Sequence, residues 1–323
     1  MNQDYCFGCM RKRAPGESRC PICGYWHGLE TISEYALLPG TYLANGRHLI
    51  GKVLMQDGFS IAYIGVDMHL QRKAIIKEFF PMKEASREKG SPDVKWHNLL
   101  DGENSGREKF IKEAGKIAKT GNIIGLPQVL DLFYQNKTAY IVMGAIEGVP
   151  LKEKLIREGN MTAEAAFKTF TPAMEAVELM HRSGLIHLNI RPASVVIDQD
   201  EIAWIMDTNT AVDMGRRTAD NVKRMQFFAT TEFSPIEQYM GKAIGPWTDV
   251  YAMCALIYYS MNGMAPPRAL DRITKDTLTY PVDVPVPVAR VLERGLEIHW
   301  QDRIQSMQQL LIDFRNAIQM LAP

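Results

Sequence analysis

The chain has 323 residues, of which 46% are apolar, enough to bury one large core or two ordinary ones. Lysine plus arginine and aspartate plus glutamate each number 37, so the formal net charge is zero. This balance excludes a general electrostatic attraction to nucleic acid or to an anionic membrane. No charged and then apolar leader opens the sequence, so a cytoplasmic location is expected.

Four of the five cysteines lie near the front in a C-x2-C-x10-C-x2-C pattern, at Cys6, Cys9, Cys20 and Cys23. Two pairs of thiolates on tight turns can converge on one tetrahedral zinc ion, and four cysteines close its coordination sphere. The alternatives are two disulfides, which need an oxidising compartment, or four free thiols. We predict a structural zinc ribbon over residues 1–28, with metal binding as its folding energy. The basic run Met10–Arg13 inside it is interpreted as a solvated loop.

After a predicted linker over residues 29–45, the chain changes from strand-rich to helix-rich. Five runs of β-branched and aromatic residues read as strands: RHLIGKVL, SIAYIGVD, RKAIIKEFF, VLDLFY and AYIVMG. One helical pattern lies between the third and fourth runs, and after Gly148 the apolar spacing is helical. The last helix begins at Ser306, with Gln309 completing a capping box. This order predicts an α+β chain with segregated halves.

The most apolar stretch, Val250 to Pro267, carries no charge and just reaches the length of a short membrane span. Asp249 stands at its start, and Asn262 with two prolines interrupts its end. A helix that is apolar all round also suits the buried centre of a large globular protein. We therefore predict a core helix and no membrane span, with Cys254 as a small core residue.

Several motifs stand in one order along residues 46–322: A-I-I-K ending at Lys77, Glu113 in a helical run, M-G-A at Met143–Ala145, H-L-N at His187–Asn189, D-T-N from Asp207, and S-P-I-E ending at Glu237. This ordered set resembles the protein-kinase family. The front of the chain resembles bacterial serine/threonine kinases with a zinc ribbon before the kinase domain. The resemblance implies a two-lobed fold, with a β-rich N-lobe over about residues 46–146 and an α-helical C-lobe over about 147–322.

The resemblance also implies roles for individual residues. Lys77 matches the lysine that reaches the α- and β-phosphates of ATP, and Glu113 matches the helix glutamate that pairs with it. Met143 and Ala145 fall at the gatekeeper and hinge, where adenine bonds to backbone. Asp207 matches the metal-binding aspartate of D-F-G. The remaining matches are Asp249, at the buried aspartate that opens the central helix, and Arg303, placed to pair with Glu237.

The phosphate loop departs from the family pattern. Aligned on LMQDGFSIAY, the three glycines of G-x-G-x-x-G become Met55, Asp57 and Ser60. Glycine lets backbone N–H groups approach phosphate closely, and the larger side chains hinder this. The carboxylate of Asp57 also repels phosphate, by about 1 kcal/mol in water and more in a dry site.

The catalytic loop departs as well. Asn189 replaces the catalytic aspartate, and its amide cannot accept a proton at neutral pH; losing a general base typically costs about 10²–10⁴-fold in rate. Ser194 replaces the asparagine that holds a second metal ion. Leu188 replaces the arginine that commonly grips an activation-segment phosphate. The D-F-G phenylalanine and glycine are Thr208 and Asn209.

The residues therefore favour a pseudokinase, a signalling or scaffold module rather than an enzyme, with structural zinc and with ATP and Mg²⁺ binding weak or absent. A protein partner is expected, and nucleic acid is not. One alternative is a weak or atypical ATP-dependent serine/threonine kinase that uses Lys77 and Asp207. A second alternative is a nucleic-acid-binding protein acting through its zinc ribbon, which the neutral charge disfavours.

Overall fold

The computed structural model of the chain describes residues 4–14, 16–28, 34–97, 102–207, 212–213, 222, 226–227, 229, 232–280 and 284–321. They form two compact units. The first runs to Lys119 and includes Gln128–Ala145, and the second comprises Thr120–Pro127 and the chain from Ile146 onward. Strands dominate the first unit and helices the second, so the predicted α+β chain with segregated halves is confirmed.

The first unit is built on a six-stranded antiparallel sheet with strand order β1-β2-β3-β4-β8-β7. Its strands are β1 (Tyr42–Leu43), β2 (His48–Gln56), β3 (Ser60–Asp67), β4 (Arg72–Phe79), β7 (Val129–Gln135) and β8 (Thr138–Gly144). Between β4 and β7 lie a hairpin of β5 (Ala85–Arg87) and β6 (Val94–Trp96) and the helix α1 (Gly102–Ala118). The five predicted strand runs all appear in the sheet.

The main core of this unit covers one face of the sheet, with Ile50, Tyr63 and Ile76 among its fully buried members. The expected linker, described from residue 34, contributes Ala36 and Leu37 to this core. Its last residues form β1, which pairs with β2. This part of the segment therefore belongs to the packed body of the unit.

A buried charge network joins the β5–β6 hairpin to the sheet. Glu78 on β4 is fully buried and accepts hydrogen bonds from the hydroxyls of Tyr63 at 2.8 Å and Tyr140 at 2.7 Å. The guanidinium of Arg87 on β5 also donates to this carboxylate. Burial, together with the charge of Glu78, raises the pKa of both tyrosines well above the usual value. The network keeps a buried carboxylate fully paired, as a dry interior requires.

The second unit is mainly helical. Its helices are α2 (Leu151–Glu158), α3 (Ala163–Arg182), α4 (Ile236–Met240), α5 (Pro246–Asn262), α6 (Ala269–Arg272), α7 (Val286–Gly295) and α8 (Met307–Gln319). Short strands accompany them: β9 (Val149–Pro150), β10 (Leu185–Ile186), β11 (Val195–Ile197), β12 (Ala203–Ile205) and β13 (Val212–Asp213). Ser306 caps α8 by accepting the N–H of Gln309 at 3.1 Å, as predicted, but the Gln309 side chain donates to Oδ1 of Asp313 at 2.7 Å instead of completing the predicted capping box.

Helix α5 contains most of the apolar stretch that was weighed as a membrane span. It is buried along nearly its whole length, and Cys254 is fully buried within it. The thiol packs where Gly295 of α7 lacks a side chain, since a Cβ there would lie 2.1 Å from the sulfur. Across the described residues, no helix has the length and apolar character needed to cross a bilayer.

Candidate nucleotide and metal sites

The two charged residues predicted to act on nucleotide in the first unit are both buried. Lys77 lies in β4 opposite Ile141 of β8 and is 2% exposed. Glu113 lies on α1 and is 5% exposed, beside Phe110 and Ala114, which pack the helix against the sheet. The strand and the helix thus hold a lysine and a glutamate in desolvated positions of the same unit.

The predicted hinge lies at the end of β8. Met143 is buried and pairs with Ile75 of β4. The N–H of Gly144 donates to the carbonyl of Gln128 at 2.9 Å, and the N–H of Ala145 donates to the carbonyl of Lys73 at 3.4 Å. Both backbone donors therefore already have acceptors inside the unit.

The phosphate loop, residues 57–59 between β2 and β3, is bonded to its own carboxylate. Oδ1 of Asp57 accepts the N–H of Phe59 and the N–H of Ser60, each at 2.7 Å. Oδ2 accepts the hydroxyl of Ser60 at 3.1 Å. Such N–H groups are the donors with which a phosphate-binding loop cradles its ligand. Here the carboxylate of Asp57, a side chain of the same loop, accepts two such N–H groups.

Backbone bonds fix the same loop to the chain that follows β4. The N–H of Met82 donates to the carbonyl of Gly58 at 3.1 Å, and the N–H of Phe80 donates to the carbonyl of Phe59 at 2.8 Å. The Asp57 arrangement was not predicted, although aspartate readily bonds backbone two residues ahead. This preference of aspartate was the sequence signal from which the arrangement could have been predicted.

The catalytic-loop residues of the second unit lie close together, but Ser194 faces inward. Its hydroxyl lies 2.8 Å from the carbonyl of Asn189 and 2.9 Å from that of Arg191, and it accepts the N–H of Arg191 at 3.1 Å. Ser194 is 1% exposed and ends a short 3-10 helix, Pro192–Ser194. The oxygen at the predicted second metal-ligand position is thus hydrogen-bonded within its own loop.

Asp207 is connected to this loop through the backbone. The strands β11 and β12 pair with Val195 opposite Ile205. The N–H of Met206 then donates to the carbonyl of Ser194 at 2.8 Å, which places Asp207 directly after a bonded position. Asp207 is nearly buried, whereas Thr208 and Asn209 lie outside the described residues.

Asp249, at the start of α5, holds the backbone of the catalytic loop. Its carboxylate accepts the N–H groups of His187 at 2.7 Å and Leu188 at 2.9 Å, and it bonds Nε2 of His181 at 2.8 Å. Complete burial favours the neutral acid, but the bond to His181 and the other donors outweigh it and lower the pKa of Asp249. These bonds help to hold Leu188 in the left-handed region, at φ 65°.

Leu188 stands where the family resemblance implies an arginine, and its side chain packs in an apolar cluster. It is 3% exposed and packs with Ile186 and Ile244. Its carbonyl accepts the amide Nε2–H of Gln238 at 2.8 Å. An isobutyl group in this place has no charge with which to bind a phosphate.

Glu237 and Arg303 form the predicted pair. Nη1 of Arg303 lies 2.6 Å from Oε1 of Glu237, and both side chains are buried. The hydroxyl of Thr248 donates to the same oxygen at 3.1 Å. The carboxylate and guanidinium therefore lock the end of the S-P-I-E motif against the start of α5.

The four cysteines converge near the start of the first unit. All four sulfurs lie within 4.8 Å of one another, with Cys6 and Cys23 3.7 Å apart and Cys9 and Cys20 3.8 Å apart. A tetrahedral ion with Zn–S bonds of about 2.3 Å separates its sulfurs by about 3.8 Å. The thiol set therefore fits a zinc ion in number, chemistry and spacing.

Donors around Cys20 support its thiolate form. Nε–H of Arg11 points to the sulfur at 3.1 Å, and the backbone N–H of Cys23 lies at 3.4 Å. Burial raises the pKa of Cys20, but these donors outweigh it and bring the pKa down to about 6. At Cys6 burial dominates and raises the pKa to about 12. A bound cation would lower the pKa of such a thiol.

The interpretation of Met10–Arg13 as a solvated loop is wrong for its first two residues. Met10 is 3% exposed and packs in an apolar cluster, and Arg11 bonds a cysteine sulfur and forms an ion pair with Glu17. Tertiary contacts decide both positions, and the local charge pattern carries no signal for them.

A model of the protein kinase domain family matches residues 75–313. The chain is 26% identical over 235 residues to serine/threonine-protein kinase PksC of Streptomyces coelicolor, covering 70% of this chain and 39% of that relative. It is also 26% identical over 230 residues to serine/threonine-protein kinase PknL of Mycobacterium tuberculosis, covering 69% and 51%. The chain thus spans about half, or less, of the length of these curated relatives.

A solved structure described as the PpkA-294 apo form has a TM-score of 0.71 to this chain at 24% sequence identity. The superposition covers 87% of this chain and all of that one. Likeness at this identity concerns the fold alone. It agrees with the family match in confirming the predicted fold class, with a β-rich lobe and a helical lobe.

Proposed function

Because the chain belongs to the protein kinase domain family, we propose that it is a pseudokinase that transfers little or no phosphate and acts by binding a protein partner. The main support for this proposal is that the Asp57 carboxylate forms hydrogen bonds with the backbone of its own loop. The carboxylate holds the N–H groups of Phe59 and Ser60, so ATP would have to displace an internal anion and approach its charge.

The catalytic loop supports the same conclusion. Asn189 offers no base for the substrate hydroxyl, and its backbone carbonyl serves as a partner of the Ser194 hydroxyl. A serine oxygen that is 1% exposed and bonded within its loop is a poor ligand for a second metal ion. Phosphate positioning, proton removal and metal binding are thus impaired together.

We also propose that Cys6, Cys9, Cys20 and Cys23 hold one structural zinc ion. The proposal rests on the tetrahedral spacing of the sulfurs and on the N–H donors to Cys20. Four protein ligands leave no open position for substrate, so the metal would stabilise the fold. Reduced thiolates suit a cytoplasmic location.

A weak serine/threonine kinase is the second candidate. It is favoured by the retention of Lys77 and Glu113 in buried positions of one unit and of Asp207 in the other. The similar proteins PksC and PknL are named serine/threonine-protein kinases, which also supports this candidate. Such an enzyme would use one metal ion and the Asn189 amide to orient the hydroxyl.

Phosphate transfer separates the two candidates, and ATP binding is measured first. We would measure the melting temperature with millimolar ATP, with Mg²⁺ or with EDTA, because a ligand that binds the folded state must raise stability. The pseudokinase proposal expects a small Mg²⁺-dependent rise or none, and no phosphate transfer above the level of Lys77→Ala. Transfer to a protein substrate that requires both residues would overturn it and establish the weak kinase.

The partner is proposed to be a protein. Affinity purification of the wild type, with recovered proteins identified by mass spectrometry, tests this expectation, and Asp207→Ala should recover the same partners. Nucleic acid is not proposed, because the formal net charge is zero. Retardation of DNA or RNA by the protein at moderate salt would contradict this part.

A further inference from the structure

The cysteine module, residues 4–14 and 16–28, is docked on the sheet of the first unit. Tyr5 and Met10 are buried against Leu49 of β2 and Val66 of β3. Three half-buried side chains complete this contact: Phe7, Ile64 and Met68. The backbone joins in, because the N–H of Lys52 on β2 donates to the carbonyl of Phe7 at 2.8 Å.

Gly51 makes this close approach feasible. A Cβ at this position would lie 2.2 Å from Cε of Met10 and 2.5 Å from the carbonyl oxygen of Phe7. Any larger residue would therefore push the module off β2. Glycine weakens the interior of a strand, so the close approach of the module accounts for its presence at this position.

Met10 bears a backbone strain that its counterpart avoids. Each pair of cysteines is followed by a residue with positive φ: Met10 at 57° after Cys9, and Gly24 at 70° after Cys23. Glycine adopts this conformation freely, whereas a side chain is disfavoured there. The first turn nevertheless carries methionine, and that side chain is 3% exposed under the sheet. A strained backbone conformation persists only where surrounding contacts compensate for it, and here the Met10 side chain makes those contacts.

The strands under the module are buried on both faces. The opposite face of β2 and β3 carries Ile50, Ile61 and Tyr63 of the main core. Without a metal, a module this small lacks the core to stay folded, and its apolar cover over Leu49 and Val66 would be lost. The phosphate loop joins these same two strands.

We propose that the metal-loaded cysteine module is a clamp on β2 and β3, so that metal occupancy sets the order of these strands and of the phosphate loop between them. This inference rests on the proposed zinc site and is independent of whether the protein transfers phosphate. The metal would then govern the conformation of a loop that it does not touch.

Hydrogen exchange with and without metal tests the clamp. The full chain is purified with zinc, its metal content is measured, and a second sample is stripped with a chelator under reducing conditions. Stripping is expected to speed exchange over residues 48–67 by about tenfold or more, since loss of one buried apolar anchor already gives this factor. The helix Ala163–Arg182 in the second unit is the internal reference and should not change.

Met10→Gly separates docking from metal binding. Glycine suits the positive φ, so the variant should retain one zinc per chain, yet exchange over residues 48–67 should be fast with and without metal. Ile22→Ala, at a position of the module that is 75% exposed, is the matched control and should respond to metal like the wild type. If Met10→Gly does not fold, Phe7→Ala makes the same test.

The outcomes are distinct. Equal exchange in the loaded and stripped wild type, or a full metal response in Met10→Gly, overturns the clamp while the zinc site stands. Absence of stoichiometric metal from the purified wild type overturns the zinc site and the clamp together. Neither result bears on ATP binding, which is measured separately.

Discussion

Replacing Asp249 with asparagine should destabilise the second unit strongly, although the side chain keeps its size. The carboxylate is fully buried, and its two oxygens accept from His187, Leu188 and His181. Asparagine has one oxygen, so its NH₂ group must face at least one buried N–H donor. That unsatisfied donor and the weaker remaining bonds cost about 3 kcal/mol, or about 6–12 °C of melting temperature for a unit of this size.

Asp198→Asn is the matched control. Asp198 also accepts three donors, the N–H groups of Asp200 and Ile202 and the indole of Trp204, but it is only half buried. Water can accept from the donors that the amide leaves unpaired, so the expected loss in the free energy of unfolding is about 1 kcal/mol. Differential scanning calorimetry compares the two variants. If Asp249→Asn melted no lower than Asp198→Asn, the role assigned to the buried carboxylate would be refuted.

The pH dependence gives a second readout of Asp249. Its folded pKa lies below the ordinary value of 3.8, so its carboxylate contributes stability that is fully present above that value. This contribution is lost as pH falls through the depressed folded pKa. The stability difference between wild type and Asp249→Asn should therefore be constant from pH 5 to 7 and shrink below about pH 4.

Three further predictions follow from single contacts. Asp57→Gly should bind ATP about tenfold or more tightly than wild type by titration calorimetry, because it removes a repelling charge and frees two loop amides; equal affinity would contradict the capture of the loop. Gly51→Ala should lower the unfolding free energy in urea by about 2 kcal/mol, through a clash with the cysteine module, whereas Gly115→Ala in α1, with its nearest atom at 3.9 Å, should not lower it. Arg87→Met should cost about 3–5 kcal/mol by leaving Glu78 buried without a cation, and the added change Glu78→Gln should recover part of that loss.

The sequence predicted the elements whose signals are periodic or local. The five strands were predicted from runs of β-branched and aromatic residues, and the central helix α5 from a long uncharged apolar stretch. The cap at Ser306 was predicted from the type of residue that precedes the last helix. The β5–β6 hairpin was missed because strands of three residues are too short to show alternation. The pairing of Arg87 with Glu78 was missed with it.

At the site, the sequence identified residue types but not the direction of their side chains. It placed Asp57 and Ser194 at degenerate positions, but their inward hydrogen bonds depend on loop geometry. The burial of Met10 was not predicted, because its contact with Leu49 of β2 joins residues far apart in sequence. The bonds of Arg11 to Cys20 and Glu17 were not predicted either, because they depend on how the two cysteine turns fold together. Local charge suggested solvent, and tertiary packing decided otherwise.

The two-sided burial of β2 and β3 determines how this protein can be divided in the laboratory. The family match begins at residue 75, inside β4, and a recombinant fragment cut there would lose three strands of the sheet. A fragment beginning at residue 46 would keep β2 and β3 but lose β1, and it would present Leu49 and Val66 to water on an uncovered face. Such a surface favours self-association, so activity or inactivity measured on that fragment would describe an aggregate. The smallest faithful unit for biochemistry includes the cysteine turns.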